Sequence, residues 1–496
     1  MTTPPRLTPS FLSDLRLSSF DRMVALIIAL LVAGVALTIL LGDRVGVTLE
    51  RAAPVGEARS TSRVVIQFSE TMQRDTVAER LSVVTLRPDA PEDVMALTAD
   101  DLGEPITGRI TWNGRTVTFQ PDDALQPGQR YGVFLAPGAA SDNGRELLAE
   151  YRFAFAVRRP RVAYLAPASG SVFNIWIADP ADPESARQVT FSPSGIFDFA
   201  VSPDGTRIAF AERNTNTGTA DIKLIDLETG GLQQLTNCAD SDCTTPIWRP
   251  DGQLIAYQRV DFNTGLNIPI SPTRTWLIDL STTPPTTRPL FEDTQILGYG
   301  LQWSADGSKA ALYDVSTQSI LLYDFTDGSI ALVPNNFGNS GALSPDGTKL
   351  VFATVLFEAG STRNTLQMAD FTTSAFTALS RADEPVDDDT AVWSPDGSVL
   401  AVARRYIDDR YTRGRQIYLM NPADGEVRPL VVDERYANGF FSFDPSGQQL
   451  AIQRFPELTA DGQPNSAGVP EVWTVNLGSG ILRQVSVDGF HPRWVP

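Results

Sequence analysis

Five carboxylates crowd into RADEPVDDDT (residues 381–390): Asp383, Glu384, Asp387, Asp388 and Asp389. Shortly after, RRYIDDRYTRGR (residues 404–415) interleaves Arg404, Arg405, Arg410 and Arg413 with Tyr406 and Tyr411. Carboxylates at this density are hard oxygen ligands of the kind calcium takes, but their spacing fits no calcium-binding loop, so no metal site is assigned. Tyrosine and arginine are the side chains that most often anchor protein interfaces. Tyr406, Arg410, Tyr411, Asp387, Asp388 and Asp389 are therefore the candidate binding residues. The plainer alternative is a pair of solvated loops whose opposite charges compensate each other.

Other chemistry is sparse. The single histidine, His491, cannot build a multi-histidine metal site and leaves little room for Ser-His-Asp or Cys-His catalysis. It reads as a strand residue. No G-x-S-x-G is present, since GNSGA (residues 338–342) fails at Ala342. The two cysteines, Cys238 and Cys243 in LTNCADSDCTTP, suit a local disulfide in an oxidising compartment, with a redox-active pair as the alternative. No cofactor is implied. A net charge of −19 argues against nucleic acid as a partner, because phosphate backbones demand clustered Lys and Arg.

The elements that would position these residues repeat. SPDG occurs at residues 202–205, 344–347 and 394–397, with looser copies RPDG (249–252), SADG (304–307) and DPSG (444–447). Each lies between two apolar strands, and Pro, Asp and Gly are the residues that close a tight hairpin. A third strand ending on Asp or Asn follows, as in IKLID to Asp226 or IYLMN to Asn421, and then a short fourth such as QQLT. Four antiparallel strands at a period of some tens of residues predict a β-propeller. The third-strand signature occurs seven times and the turn six. HPRWVP (residues 491–496), with Trp494 where Trp303 and Trp393 sit, supplies the missing first strand for RVAYL (161–165). The expectation is seven blades closed by the C-terminal strand, which removes the free edges of an open ring.

These turns and the LT-type fourth strands resemble the TolB-like, or WD40-like, propeller family over residues 159–496, although TolB itself has six blades. Residues 61–158 do not repeat. Their FSETM, TFQPDDALQPGQRYGVFL, DNGREL and YRFAF segments resemble the bacterial SbsA-type Ig-like domain, which implies a sandwich used as a spacer or adhesive module.

MVALIIALLVAGVALTILL (residues 23–41) is uncharged and of bilayer-spanning length. It predicts a transmembrane anchor at 23–42 behind a cytoplasmic tail, 1–22, with a cleavable secretion signal as the alternative. Residues 43–60 read as a linker. The expected whole is all-β apart from that helix: a single-pass cell-membrane protein whose extracytoplasmic Ig-like sandwich and seven-bladed propeller bind a protein or cell-envelope partner. The alternative is a surface lyase or glycosidase working through two carboxylates in the propeller channel. Strand parity puts the short turns on one face of the propeller and the long loops, including 404–415, on the other. Rigidly displayed loops are where binding resides, so the loop face is the expected site.

Overall fold

The computed structural model describes residues 19–42, 46–262, 270–358, 361–381 and 383–496. The expected cytoplasmic tail falls almost wholly outside them. A helix spans Ser19–Gly42. Among the described residues no helix is long and apolar enough to cross a membrane. The side chains of 38–42, which complete the apolar run, lie outside the described set. The remainder forms two compact units, one built mainly from 62–156 and the other mainly from 157–496.

The first unit is a sandwich of two antiparallel sheets. One sheet has the order Leu49–Ala53, Val64–Phe68, Thr116–Pro121, Gly108–Asn113; the other runs Gly56–Ala58, Tyr151–Val157, Arg130–Leu135, Leu81–Leu86, Leu102–Pro105. Strict alternation in Val64–Phe68 and Thr116–Pro121 sends Val64, Ile66, Phe68, Val117 and Phe119 inward. The stretch expected as a linker, 43–60, differs: Leu49–Ala53 pairs with Val64–Phe68, and Gly56–Ala58 lies beside Tyr151–Val157. These are edge strands, buried on little of their length, so they carry no alternating signal.

The second unit is seven four-stranded antiparallel sheets, as in a seven-bladed propeller. Numbered by their first strands, blades 1–6 begin at Ile196–Val201, Ser241–Trp248, Gly298–Trp303, Ala342–Leu343, Val386–Trp393 and Tyr436–Phe443. In the seventh, Phe490–Val495 pairs with Arg161–Ala166, which continues to Asn174–Asp179 and Asp182–Gln188. The final strand of the chain thus completes the first sheet of the unit. Neighbouring sheets touch all the way round, the last link joining Phe490–Val495 to both Tyr436–Phe443 and Ile196–Val201.

The recurring turn explains itself in hydrogen bonds. In the first copy the Ser202 hydroxyl donates to Asp204 Oδ1 (2.5 Å) and accepts the Arg207 N–H (2.9 Å), while Asp204 Oδ1 accepts the Thr206 N–H (3.0 Å). Gly205, at φ +67°, takes the left-handed conformation that turns the chain back. Ser304–Asp306, Ser344–Asp346 and Ser394–Asp396 repeat the arrangement. The recurring tryptophan has an equally local purpose. The indoles of Trp248, Trp393 and Trp494 each donate to a carbonyl of the preceding blade's inner strand: Ala200 (3.0 Å), Ala342 (3.0 Å) and Ser442 (2.9 Å). Between blades the core is aliphatic and aromatic, as where Leu165, Ile175 and Ile177 of the closing blade meet Phe199, Ile208 and Phe210 of blade 1.

Candidate functional site

Blade 5 brings the acidic and basic segments together, and does so by strand pairing. The reading of both as loops is corrected in part. Asp387, Asp388 and Asp389 lie in the first strand, Val386–Trp393, and Arg404, Arg405 and Tyr406 in the second, Leu400–Tyr406. The register sets Val386 opposite Tyr406, Asp387 opposite Arg405 and Asp388 opposite Arg404, with a bulge at Asp389. Opposite charges placed directly across an antiparallel pair attract, so this register stabilises itself.

The Asp388 and Arg404 side chains are both 0% exposed. Arg404 grips the carboxylate in a fork, Nε to Oδ1 at 2.9 Å and Nη2 to Oδ2 at 2.8 Å, and its Nη1 reaches Glu384 at 3.1 Å. The Ser380 hydroxyl donates to Asp388 Oδ2 at 2.7 Å. Burial works to lower the Arg404 guanidinium, but Asp388 and Glu384 outweigh it and hold its pKa above the ordinary arginine value.

Asp387 receives Arg405 at 2.6 Å, Arg415 at 2.7 Å and the Asn364 N–H at 3.1 Å. Burial pushes its carboxyl up, yet the Asn364 N–H and the two arginines together keep it below the usual carboxylate range. Arg415 also reaches Asp389 at 3.1 Å, where burial prevails and the carboxyl is raised. Each of the three aspartates is therefore committed to arginine. Among the described residues no cluster of His, Cys, Asp and Glu offers a metal a ligand set. Arg415 was not singled out in the sequence; its position just after Gly414, where the third strand resumes, was the available signal.

The other candidates divide. Tyr406 is half-buried, with Arg410 stacked 3.6 Å from its ring centroid and Tyr418 edge-on at 5.9 Å. Arg410 is exposed and paired to Asp408 at 2.6 Å. Tyr411 is 56% exposed in the same loop as the exposed Ile407, with Arg405 5.7 Å from its ring centroid. Cys238 and Cys243 form a disulfide, both cysteines buried, where the connection from blade 1 enters the first strand of blade 2. His491 lies on the closing strand. Burial, then the charge of Arg493, lower its pKa to about 3, so the ring is neutral near pH 7.

The exposed large apolar side chains of the propeller are unevenly placed. Phe191, Phe357, Ile407, Tyr411, Val432 and Phe455 all stand on connections between second and third strands or between blades, or at strand ends meeting them, which is the loop face. Phe357 and Phe191 are 77% and 78% exposed. Leu232, Ile330, Leu332 and Phe376 lie on outer strands instead. The S-P-D-G turns display none.

The bacterial Ig-like domain family matches residues 43–157. No curated protein is significantly similar to the chain. Among solved structures, TolB from Acinetobacter baumannii is 14% identical over 91% of this chain and 99% of its own, with a TM-score of 0.40. The oligogalacturonate lyase of Vibrio parahaemolyticus is 14% identical over 66% of this chain and 86% of its own, with a TM-score of 0.44. A puromycin-hydrolysing peptidase of Mycobacterium tuberculosis is 12% identical over 66% of this chain and 54% of its own, at 0.49. None of these likenesses bears on activity. Residues 43–157 belong to the bacterial Ig-like domain family, and the region that follows is a TolB-like β-propeller, by its own four-stranded sheets and recurring turn.

Proposed function

We propose that this is a membrane-anchored, extracytoplasmic interaction protein. The uncharged run 23–41 is the anchor, the Ig-like domain is a spacer, and the propeller binds a protein or cell-envelope partner through its loop face. The observation that carries the reading is the concentration of exposed Phe, Ile and Tyr side chains on that face, on loops held by a rigid ring. The arginine–aspartate lattice under residues 404–415 supports it, because it fixes the base of the loop that displays Ile407, Arg410 and Tyr411. Preorganised anchors cost less entropy on binding than mobile ones.

The test is crosslinking of the tagged protein in its native cells. The double change Ile407→Ala and Tyr411→Ala should reduce recovery of the crosslinked partner, since truncating a true anchor costs roughly 2 kcal/mol or more, about thirtyfold in affinity. Asp327→Asn, in a turn of the opposite face, should leave recovery unchanged. Loss with Asp327→Asn and none with the double change would place binding on the wrong face. Topology is tested separately: protease added to intact spheroplasts should digest both domains and leave a short membrane-bound stub. Full protection would refute the orientation.

A further inference from the structure

At the end of the propeller bounded by the S-P-D-G turns, opposite the loop face, lies a cavity of about 590 Å³. Inner strands of blades 1, 2, 6 and the closing blade line it. The wall is mostly apolar, from Phe199, Val201, Ile247 and Trp248 together with the prolines of the turns. Three charged groups face it: Asp444, Asp198 and Arg493.

Asp444 is already satisfied. It accepts the Gln449 N–H at 2.7 Å and the Ser446 hydroxyl at 2.5 Å. Arg493 is different. Its Nη2 lies 2.8 Å from His491 Nε2, and no ion pair includes it among the described residues. Because the guanidinium can only donate, the neutral imidazole accepts at Nε2. The 3.3 Å approach of Asp198 to that same nitrogen is accordingly not an ion pair. Among the described residues Asp198 accepts one hydrogen bond, from the Phe199 N–H at 2.7 Å, and feels the charge of Arg493. Burial pushes the Arg493 guanidinium down, and Asp198 offsets this only in part. Asp198 is its nearby counter-charge, but both groups meet at His491 Nε2 and no direct ion pair joins them; proteins ordinarily pair a part-buried guanidinium directly.

The surroundings hold Arg493 in place at some expense. His491 has φ +56° and Phe440 φ +42°, left-handed conformations at bulges of the kind where blade 3 uses Gly300. For a residue with a side chain that conformation is disfavoured, because Cβ crowds the following carbonyl oxygen. What is retained is a stack: Phe440 and Phe199 pack on the His491 ring at 5.0 and 5.8 Å, and the ring accepts from Arg493. His491 is thus a positioning residue for the guanidinium.

We propose that this cavity binds an organic monocarboxylate with an apolar body, the carboxylate on Arg493 and the body against Phe199, Ile247 and Trp248. The volume falls within the range of roughly 300–1,000 Å³ usual for small-molecule sites, which are apolar with a few placed polar groups. Arginine's planar fork matches a carboxylate. Asp198 in the same cavity disfavours phosphate and other multiply charged anions. The carboxylate belongs to a free small molecule or to the C-terminus of a peptide, since both present the same chemistry.

Calorimetry on the full-length protein tests this, with 3-phenylpropionate, its neutral amide, inorganic phosphate, and N-acetyl-Ala-Phe with free or amidated C-terminus. The acids should bind at least tenfold more tightly than their amides, and phosphate should not compete. Tighter binding of the peptide acid assigns the site to chain termini, and tighter binding of 3-phenylpropionate to free acids; either supports the proposal. Arg493→Gln should lose the preference for acid over amide, with folding checked by circular dichroism. Should that variant not fold, Arg493→Lys, which keeps charge but not the fork, should weaken the acids and leave the amides unchanged. Equal binding of acid and amide to the native protein overturns the proposal, as does no binding of either acid, competition by phosphate, or a folded Arg493→Gln that binds as before. The Ile407→Ala, Tyr411→Ala protein should bind the acids normally, so the two readings fail independently.

Discussion

Removing Asp388 should destabilise the propeller more than almost any other single polar change. In Asp388→Leu, Arg404 loses the two bonds at 2.9 and 2.8 Å and keeps Glu384 at 3.1 Å and the Tyr406 side chain, with no exposed surface to rehydrate. The Ser380 hydroxyl loses its acceptor as well. Breaking a buried pair from one side costs about 3–5 kcal/mol, because an uncompensated charge is left behind. For a domain of this size 1 kcal/mol corresponds to roughly 2 °C, so Tm should fall by about 6–10 °C. Adding Arg404→Met removes the stranded charge and should recover most of the loss, since apolar replacement of a whole buried pair is often close to neutral. The assay is thermal unfolding of wild type, both single variants and the double, read as a cycle. The coupling should be about 3 kcal/mol. If Asp388→Leu melts within about 1 °C of wild type, or the two losses simply add, the pair does not hold blade 5 as argued.

Deleting residues 490–496 should cause aggregation or a collapse in Tm, because Arg161–Ala166 loses its partner strand and the Trp494 bond to Ser442 disappears; a truncated protein melting like the full one would refute ring closure. Replacing Cys238 and Cys243 by Ser should cost only about 2 kcal/mol on the chain-entropy scale, because so short a loop is closed; global unfolding of the variant would contradict this. The turn aspartates give an acid-side signature. The Ser304 hydroxyl and Ser308 N–H hold Asp306 below its ordinary value of 3.8; in Asp346 and Asp396 burial pushes up but similar bonds outweigh it. A carboxyl lowered on folding contributes stability above its unfolded pKa and loses it as pH falls through the folded one. Tm should therefore drop below about pH 4, and less steeply in Asp346→Asn, Asp396→Asn, as a pH series of melts would show.

What could be read from the sequence was whatever the chain encodes locally. Ser202, Asp204 and Gly205 bond to one another or to residues a few positions away, so the turn is written in consecutive letters and repeats wherever it is needed. Even the ring closure had a local token, because Trp494 performs at the last strand what Trp248 and Trp393 perform within the chain. The edge strands Leu49–Ala53 and Gly56–Ala58 were not legible, since a strand with little burial shows no alternation.

The residues of the candidate site were singled out in the sequence, but their pairing as strands was not legible, for a different reason. DDD and RR are the composition of a solvated loop, and only pairing sixteen residues apart turns Asp388 and Arg404 into a buried unit. Each segment alone violates the rule that strands alternate apolar and polar; together they satisfy it by neutralisation. The same holds for Arg493, a residue unremarkable in HPRWVP until three inner strands converge on it. A repeat fold makes this pattern general. Its scaffold is specified within each repeat, by turn and core. Its individuality lies where one blade departs from the repeat, and those departures acquire meaning only through neighbours brought close by the ring. In a propeller of this kind the residues to test first are the charged ones that break the repeat inside a strand, ahead of the charged ones that decorate its loops.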